Sequence, residues 1–159
     1  MNTSAQQKSE QLATPSKKSE LMQLSTFWLA QELFGVNALR VQEILSYQEI
    51  AVVPLAPAYI KGLINLRGQI VTVLDLRQRL GFAPLADETA ATNLIVMSKE
   101  GPLSLLVDQI SNVIDLQTSR LTSPPGTIRG VAVQYIQAVC QLEEGLLIIL
   151  DLDSVLRLA

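Results

Sequence analysis

From Leu24 onward the chain is a series of short apolar runs, each cut by glycine, proline or charged residues. The runs are too short for a helical period, and they are rich in Leu, Ile and Val, so they predict pleated, half-buried or buried strands. Residues 24–30 read as a first strand, Gln31-Glu32 as its turn, and 33–36 as the return. Asn37 is a suitable N-cap, so 37–45 predicts a short helix running into extended chain. The stretch 51–57 is extended and punctuated by proline, and Pro54 confines it to an edge or a connection. The clearest hairpin is Gly62-Leu63-Ile64-Asn65-Leu66-Arg67-Gly68-Gln69-Ile70-Val71-Thr72-Val73-Leu74-Asp75-Leu76. It turns at Arg67-Gly68-Gln69, where Gly68 can take a positive φ. Asp75 then opens a capping box with Gln78, and the short helix it starts ends at Gly81.

After an acidic, Ala-rich loop at 83–92 the same grammar returns. Strands are expected at 94–97 and 103–108 around a 99–102 turn, and another at 113–116. A long irregular loop follows at 117–133, then a hairpin of 138–142 and 146–152 around Glu143-Glu144-Gly145, and a closing helix at 153–158. Leu74-Asp75-Leu76 repeats as Leu150-Asp151-Leu152 at an offset of 76 residues, and Val36-Asn37 stands in the first half where Val107-Asp108 stands in the second. The pattern therefore predicts a mainly all-β protein of two similar units. Each is too small to bury much alone, so they should pack together, and closing each sheet into a barrel would remove its edges. Residues 1–22 differ: Asn, Thr, Ser, Gln and Lys dominate, which predicts a disordered tail. The expected organisation is that tail, then one domain over 23–159. Within it the first barrel lies roughly at 36–92 and the second at 93–150, with room for terminal segments to be exchanged.

Composition narrows the function. Hydrophobic residues make up 48% of the chain but aromatics only 4%, so the core is aliphatic. The formal charge is −3, with no concentration of Lys or Arg beyond Arg77 and Arg79, which argues against a nucleic-acid partner. One cysteine and no histidine exclude an internal disulfide, a Cys/His zinc site and any His-dependent triad. Cys140, in an apolar run, reads as a small buried hydrophobe, compatible with a reducing, cytoplasmic setting. No apolar stretch is long enough to span a membrane, and the polar N-terminus does not read as a secretory signal. Neither metal nor cofactor is expected. The one enzymatic arrangement worth weighing is a carboxylate dyad of Asp75 and Asp151; N-capping explains both residues more simply. What remains is binding by surface. Arg67, at a turn tip between apolar strands, can present a guanidinium fork to a partner carboxylate.

The run Tyr59-Ile60-Lys61-Gly62-Leu63-Ile64-Asn65-Leu66-Arg67-Gly68, continued by Val73-Leu74-Asp75-Leu76-Arg77, closely resembles the signature of the CheW-like chemotaxis coupling family. Phe34-Gly35-Val36, Val41-Gln42-Glu43-Ile44, Tyr135-Ile136 and 147–152 also resemble it, so the likeness covers about 24–158. The pattern departs at Thr72, where the family usually has proline, at Ala138, where it commonly has glycine, and in the tail. The resemblance implies two five-stranded SH3-like barrels and a non-catalytic adaptor role. It implies binding to the cytoplasmic tip of chemoreceptors and to the regulatory domain of the histidine kinase CheA, at receptor arrays on the inner face of the membrane. Matched residue by residue, it places Val41, Glu43, Gly62 and Arg67 at or near the receptor groove, and Ile44 and Ile50 toward the kinase. A decoy that binds the kinase without coupling it to receptors is the alternative within the same fold.

Overall fold

The protein is described by a computed structural model covering residues 20–124 and 126–157. The tail expected at 1–22 lies outside the described residues as far as residue 19, and its last two residues, Leu21 and Met22, already belong to the first strand. Ten strands follow: β1 Leu21–Leu29, β2 Glu32–Asn37, β3 Val41–Leu45, β4 Ile60–Leu66, β5 Gln69–Asp75, β6 Thr92–Ser98, β7 Gly101–Val107, β8 Gln109–Gln117, β9 Ile136–Leu142 and β10 Gly145–Leu150. Two single-turn helices, α1 Leu76–Arg79 and α2 Leu152–Val155, follow β5 and β10. Asn37 caps a 3-10 turn at Ala38–Arg40 by accepting from the Leu39 N–H, and the chain then extends into β3, as the sequence predicts.

The strands form two five-stranded sheets, with orders β8-β1-β2-β10-β9 and β3-β6-β7-β5-β4. An expected division at 92/93 would cut β6 and β7 from the sheet in which they pair; the second sheet runs from β3 to β7 without interruption. The sequence repeat explains this. Strands β1–β5 with α1 correspond to β6–β10 with α2, yet each sheet combines the first two strands of one repeat with the last three of the other. The joins are parallel: β2 on β10 and β5 on β7. The hairpins are thus exchanged within the chain, and neither repeat forms a sheet by itself.

Each sheet is also closed. The chain leaving β3 bridges back to β4 through Ala51 and Leu63, with two hydrogen bonds of 2.8 Å. The chain leaving β8 bridges to β9 through Thr122 and Val139, at 2.9 and 2.8 Å. The two barrels have separate interiors, Leu24, Leu33, Leu116, Cys140, Leu147 and Ile149 in one and Ile64, Leu66, Val71, Val73, Ile95 and Leu106 in the other. A larger shared core lies between them, including Phe27, Phe34, Leu74, Leu94, Leu105 and Ile148. Strand β10 shows why apolar residues run without alternation: Leu147 and Ile149 fill a barrel while Ile148 and Leu150 fill the shared core.

The β1–β2 turn falls at Ala30-Gln31, one residue earlier than the sequence suggests, because Phe27 pairs with Phe34 and Leu29 with Glu32. Both turn residues have positive φ, 49° and 68°, a conformation that favours Asn or Gly. The strain is held by Asp108, whose Oδ2 accepts the Ala30 N–H at 2.9 Å. Gln31→Gly is expected to raise stability by about 0.5–1 kcal/mol. An unchanged or lowered urea midpoint would show that the turn is unstrained.

Candidate functional site

The β4–β5 hairpin and the edge strand β3 build the most distinctive exposed feature. Asn65 Oδ1 accepts the Gly68 N–H at 2.8 Å and pins the turn, with Arg67 and Gly68 at φ 53° and 86°. This holds Arg67 at the tip, where its Nη2 donates to Glu43 Oε2 on β3. The arginine side chain stays two-thirds exposed, at 67%, so the ion pair closes a surface and is not a core contact. The Glu43 carboxylate, by hydrogen bond and charge, pushes the already basic guanidinium further up. Gln42 bulges from the β3–β6 pairing, with Val41 opposite Val96 and Glu43 opposite Ile95. That bulge leaves Val41 packed on the shared core and Glu43 free to meet Arg67.

The other expected binding residues separate. Ile44 is exposed on β3, at 45%. Ile50 instead packs on the interior of its barrel with Leu45 and Leu85. Gly62 is buried beside it: a Cβ there would stand 2.2 Å from the Ala51 carbonyl oxygen and 2.7 Å from Ile50 Cγ2. With φ +149°, Gly62 is the residue that lets the 51 segment close the barrel. Ala138 is its counterpart in the other barrel, opposite Ile149 as Gly62 is opposite Val73, and the backbone there is ordinary. Two exposed apolar residues had no signal beyond the proline-punctuated run that carries them, Val52 at 78% and Leu55 at 104%.

Asp75 and Asp151 serve as caps. Asp75 accepts from the Gln78 N–H and from Gln78 Nε2, both at 3.3 Å. Asp151 accepts from the Ser154 N–H at 3.3 Å and from Ser154 Oγ at 3.1 Å. All four carboxylate oxygens thus face donors of their own turns. A second ion pair is half-hidden and bidentate: Arg77 Nε to Asp108 Oδ1 at 2.8 Å and Nη2 to Oδ2 at 2.6 Å. Asp108 raises the Arg77 basicity through these bonds and joins α1 to the β1–β2 turn. Among the described residues no group of three or more His, Cys, Asp or Glu side chains is placed to hold a metal ion. Cys140 is buried in a barrel interior.

The family model for the CheW-like domain matches residues 23–159. The chain belongs to the CheW-like domain family. Among CheW-like relatives, the chemotaxis protein CheW of Treponema pallidum is 33% identical over 139 residues, covering 85% of this chain and 82% of that protein. The chemotaxis protein CheW of Klebsiella aerogenes is 28% identical over 130 residues, 82% of this chain and 78% of that protein. The crystal structure of the scaffolding protein TtCheW from Thermoanaerobacter tengcongensis superposes with a TM-score of 0.79 at 26% identity, covering 87% of this chain and 94% of that one. The CheW likeness seen in the 59–77 motif therefore holds across both barrels, including the exchanged hairpins.

Proposed function

We propose that this chain is a non-catalytic coupling adaptor of chemosensory signalling, which joins the cytoplasmic tip of chemoreceptors to the regulatory domain of the kinase CheA. The observation that carries the reading is the exposed Glu43–Arg67 pair at the tip of a rigid hairpin, in a chain of the CheW-like family. A guanidinium held at a fixed point, with most of its surface in water, can exchange one carboxylate partner for another and so fix the register of a docked helix. Val41 and Gly62 shape and brace this face, Val41 at the shared core and Gly62 at the barrel closure. Ile44, with Val52 and Leu55, offers apolar area of the kind that protein interfaces bury, and Ile50 supports it from inside. These belong to the kinase side. Placement at arrays on the inner membrane face would come through these two partners; among the described residues no helix is long and apolar enough to cross a membrane. The intact Glu43–Arg67 pair favours coupling over a kinase decoy, which has no use for a receptor surface.

The test is a pull-down of the native and Arg67→Glu chains against a receptor cytoplasmic tip and the kinase regulatory domain. Native protein is expected to hold both. The variant, with two carboxylates facing each other, is expected to lose the receptor by tenfold or more, about 1.4 kcal/mol, and keep the kinase. Kinase binding alone in both forms would instead establish the decoy.

A further inference from the structure

A second cationic feature touches both repeats. Arg79, the last residue of α1, places its guanidinium 4.6 Å from the Tyr59 ring centroid and 5.3 Å from that of Tyr135. The two tyrosines are counterparts in the repeat: Tyr59 accepts the Asp75 N–H at 2.7 Å through its carbonyl, and Tyr135 accepts the Asp151 N–H at 2.8 Å. Arg79 Nε donates to the Val155 carbonyl at 3.0 Å, and Nη2 donates to the Arg157 carbonyl. These contacts fix the guanidinium plane and leave Nη1 without a protein partner among the described residues.

Arg79 lines a shallow opening of about 410 Å³ with Gln134, Tyr135, Ser154 and Arg157. Among the described residues no carboxylate lines it. The Arg40, Lys61, Arg67, Arg77 and Arg129 side chains all meet acidic partners, whereas among the described residues Arg79, Arg157, Lys99 and Arg120 form no ion pair. Two guanidiniums without an acidic partner among the described residues thus stand side by side, and the carboxylates of Asp153 and Glu100 lie in the neighbouring opening that Arg157 also borders. Arg157 also borders a groove of about 970 Å³ whose apolar lining is Ile70, Pro102, Leu103 and Leu156, with Glu100 at its border and unpaired to Arg157. Ile70 is an exposed apolar residue, at 62%.

We infer that this opening is a carboxylate-docking subsite, filled by an acidic side chain of a protein segment whose adjacent apolar residues lie in the Ile70–Leu156 groove. The guanidinium pair supplies the charge and the fork geometry, and the tyrosine stack removes the cost of ordering Arg79 on binding. The apolar groove sharing Arg157 selects a peptide over a free anion. The inference rests on the adaptor reading for its partner class; its guanidiniums are other than the Glu43–Arg67 pair, although Ile70 of the groove belongs to the same β4–β5 hairpin.

The probe is an acetylated, amidated Leu-Asp-Glu-Leu-Val peptide titrated into the ¹⁵N-labelled full chain, following the Arg79 and Arg157 Nε–H signals. Its Asn-Gln analogue and inorganic phosphate serve as separate arms. The acidic peptide is expected to shift both signals saturably, with affinity falling about fivefold in Arg157→Gln and falling further with salt. Equal response to the amide analogue, tighter binding of phosphate than of peptide, or no saturable shift would each overturn it. Arg157 is exposed, so Arg157→Gln should keep the fold, which the amide spectrum reports in the same experiment. Failure of the Arg67→Glu pull-down with a positive titration would remove the adaptor reading and leave the subsite.

Discussion

Gly62→Ala is expected to destabilise the protein by about 2–5 kcal/mol, the sum of an overpacked contact and a backbone conformation that only glycine adopts readily. The added Cβ would lie 2.2 Å from a backbone oxygen, at Ala51, where no rotamer change can relieve it. The Ala51–Leu63 bridge must then open, releasing Ile50 from the barrel interior. Chemical denaturation should show the loss directly. Hydrogen exchange should place it first at the Ala51 and Leu63 amides, which bond across the closure at 2.8 Å. A loss below about 1 kcal/mol, with those amides still protected, would mean that the closure does not depend on glycine at position 62. The distinction matters because a binding defect at Gly62 would otherwise be read as proof of a contact.

Asp108→Ala is expected to cost about 3 kcal/mol. It removes both hydrogen bonds to Arg77, whose side chain is only 18% exposed, and frees the Ala30 N–H in a turn of two left-handed residues. The larger part of that loss comes from the arginine left behind without a carboxylate, with only the Ala83 carbonyl still accepting from its Nη1 at 3.0 Å. The double variant Arg77→Met, Asp108→Leu should therefore be more stable than Asp108→Ala alone, as a urea-denaturation cycle would measure. If the single change costs less than about 1 kcal/mol, the pair behaves as a surface bridge and does not tie α1 to the β1–β2 turn.

Much of the architecture was legible because local chemistry agreed with it. The 62–76 hairpin, the Asn37 cap and the Asp75 and Asp151 caps each depend on neighbours within a few residues, and each formed as expected. Glu43 and Arg67 were named from the motif, but their ion pair spans 24 residues and depends on the bulge at Gln42 and on the hairpin tip reaching β3. Ile50 and Gly62 were both assigned to binding by the resemblance, yet one plugs a barrel and the other makes room for its closure. Arg79 stood out only as a basic neighbour of Arg77, and its place between two tyrosines was hidden because they are 20 and 56 residues away in the chain.

By itself, then, the order of residues determined the strands, the turns, the caps and the existence of two repeats, because these are set by side-chain period and by hydrogen bonds between near neighbours. Which hairpin enters which sheet was decided only in three dimensions. Repeats with the same apolar pattern can pair within themselves or across, and pattern alone assigns both the same local energy. The exchanged arrangement places β2 beside β10 and β5 beside β7, and it is the tertiary structure that fills both barrels and the core between them from the same strands.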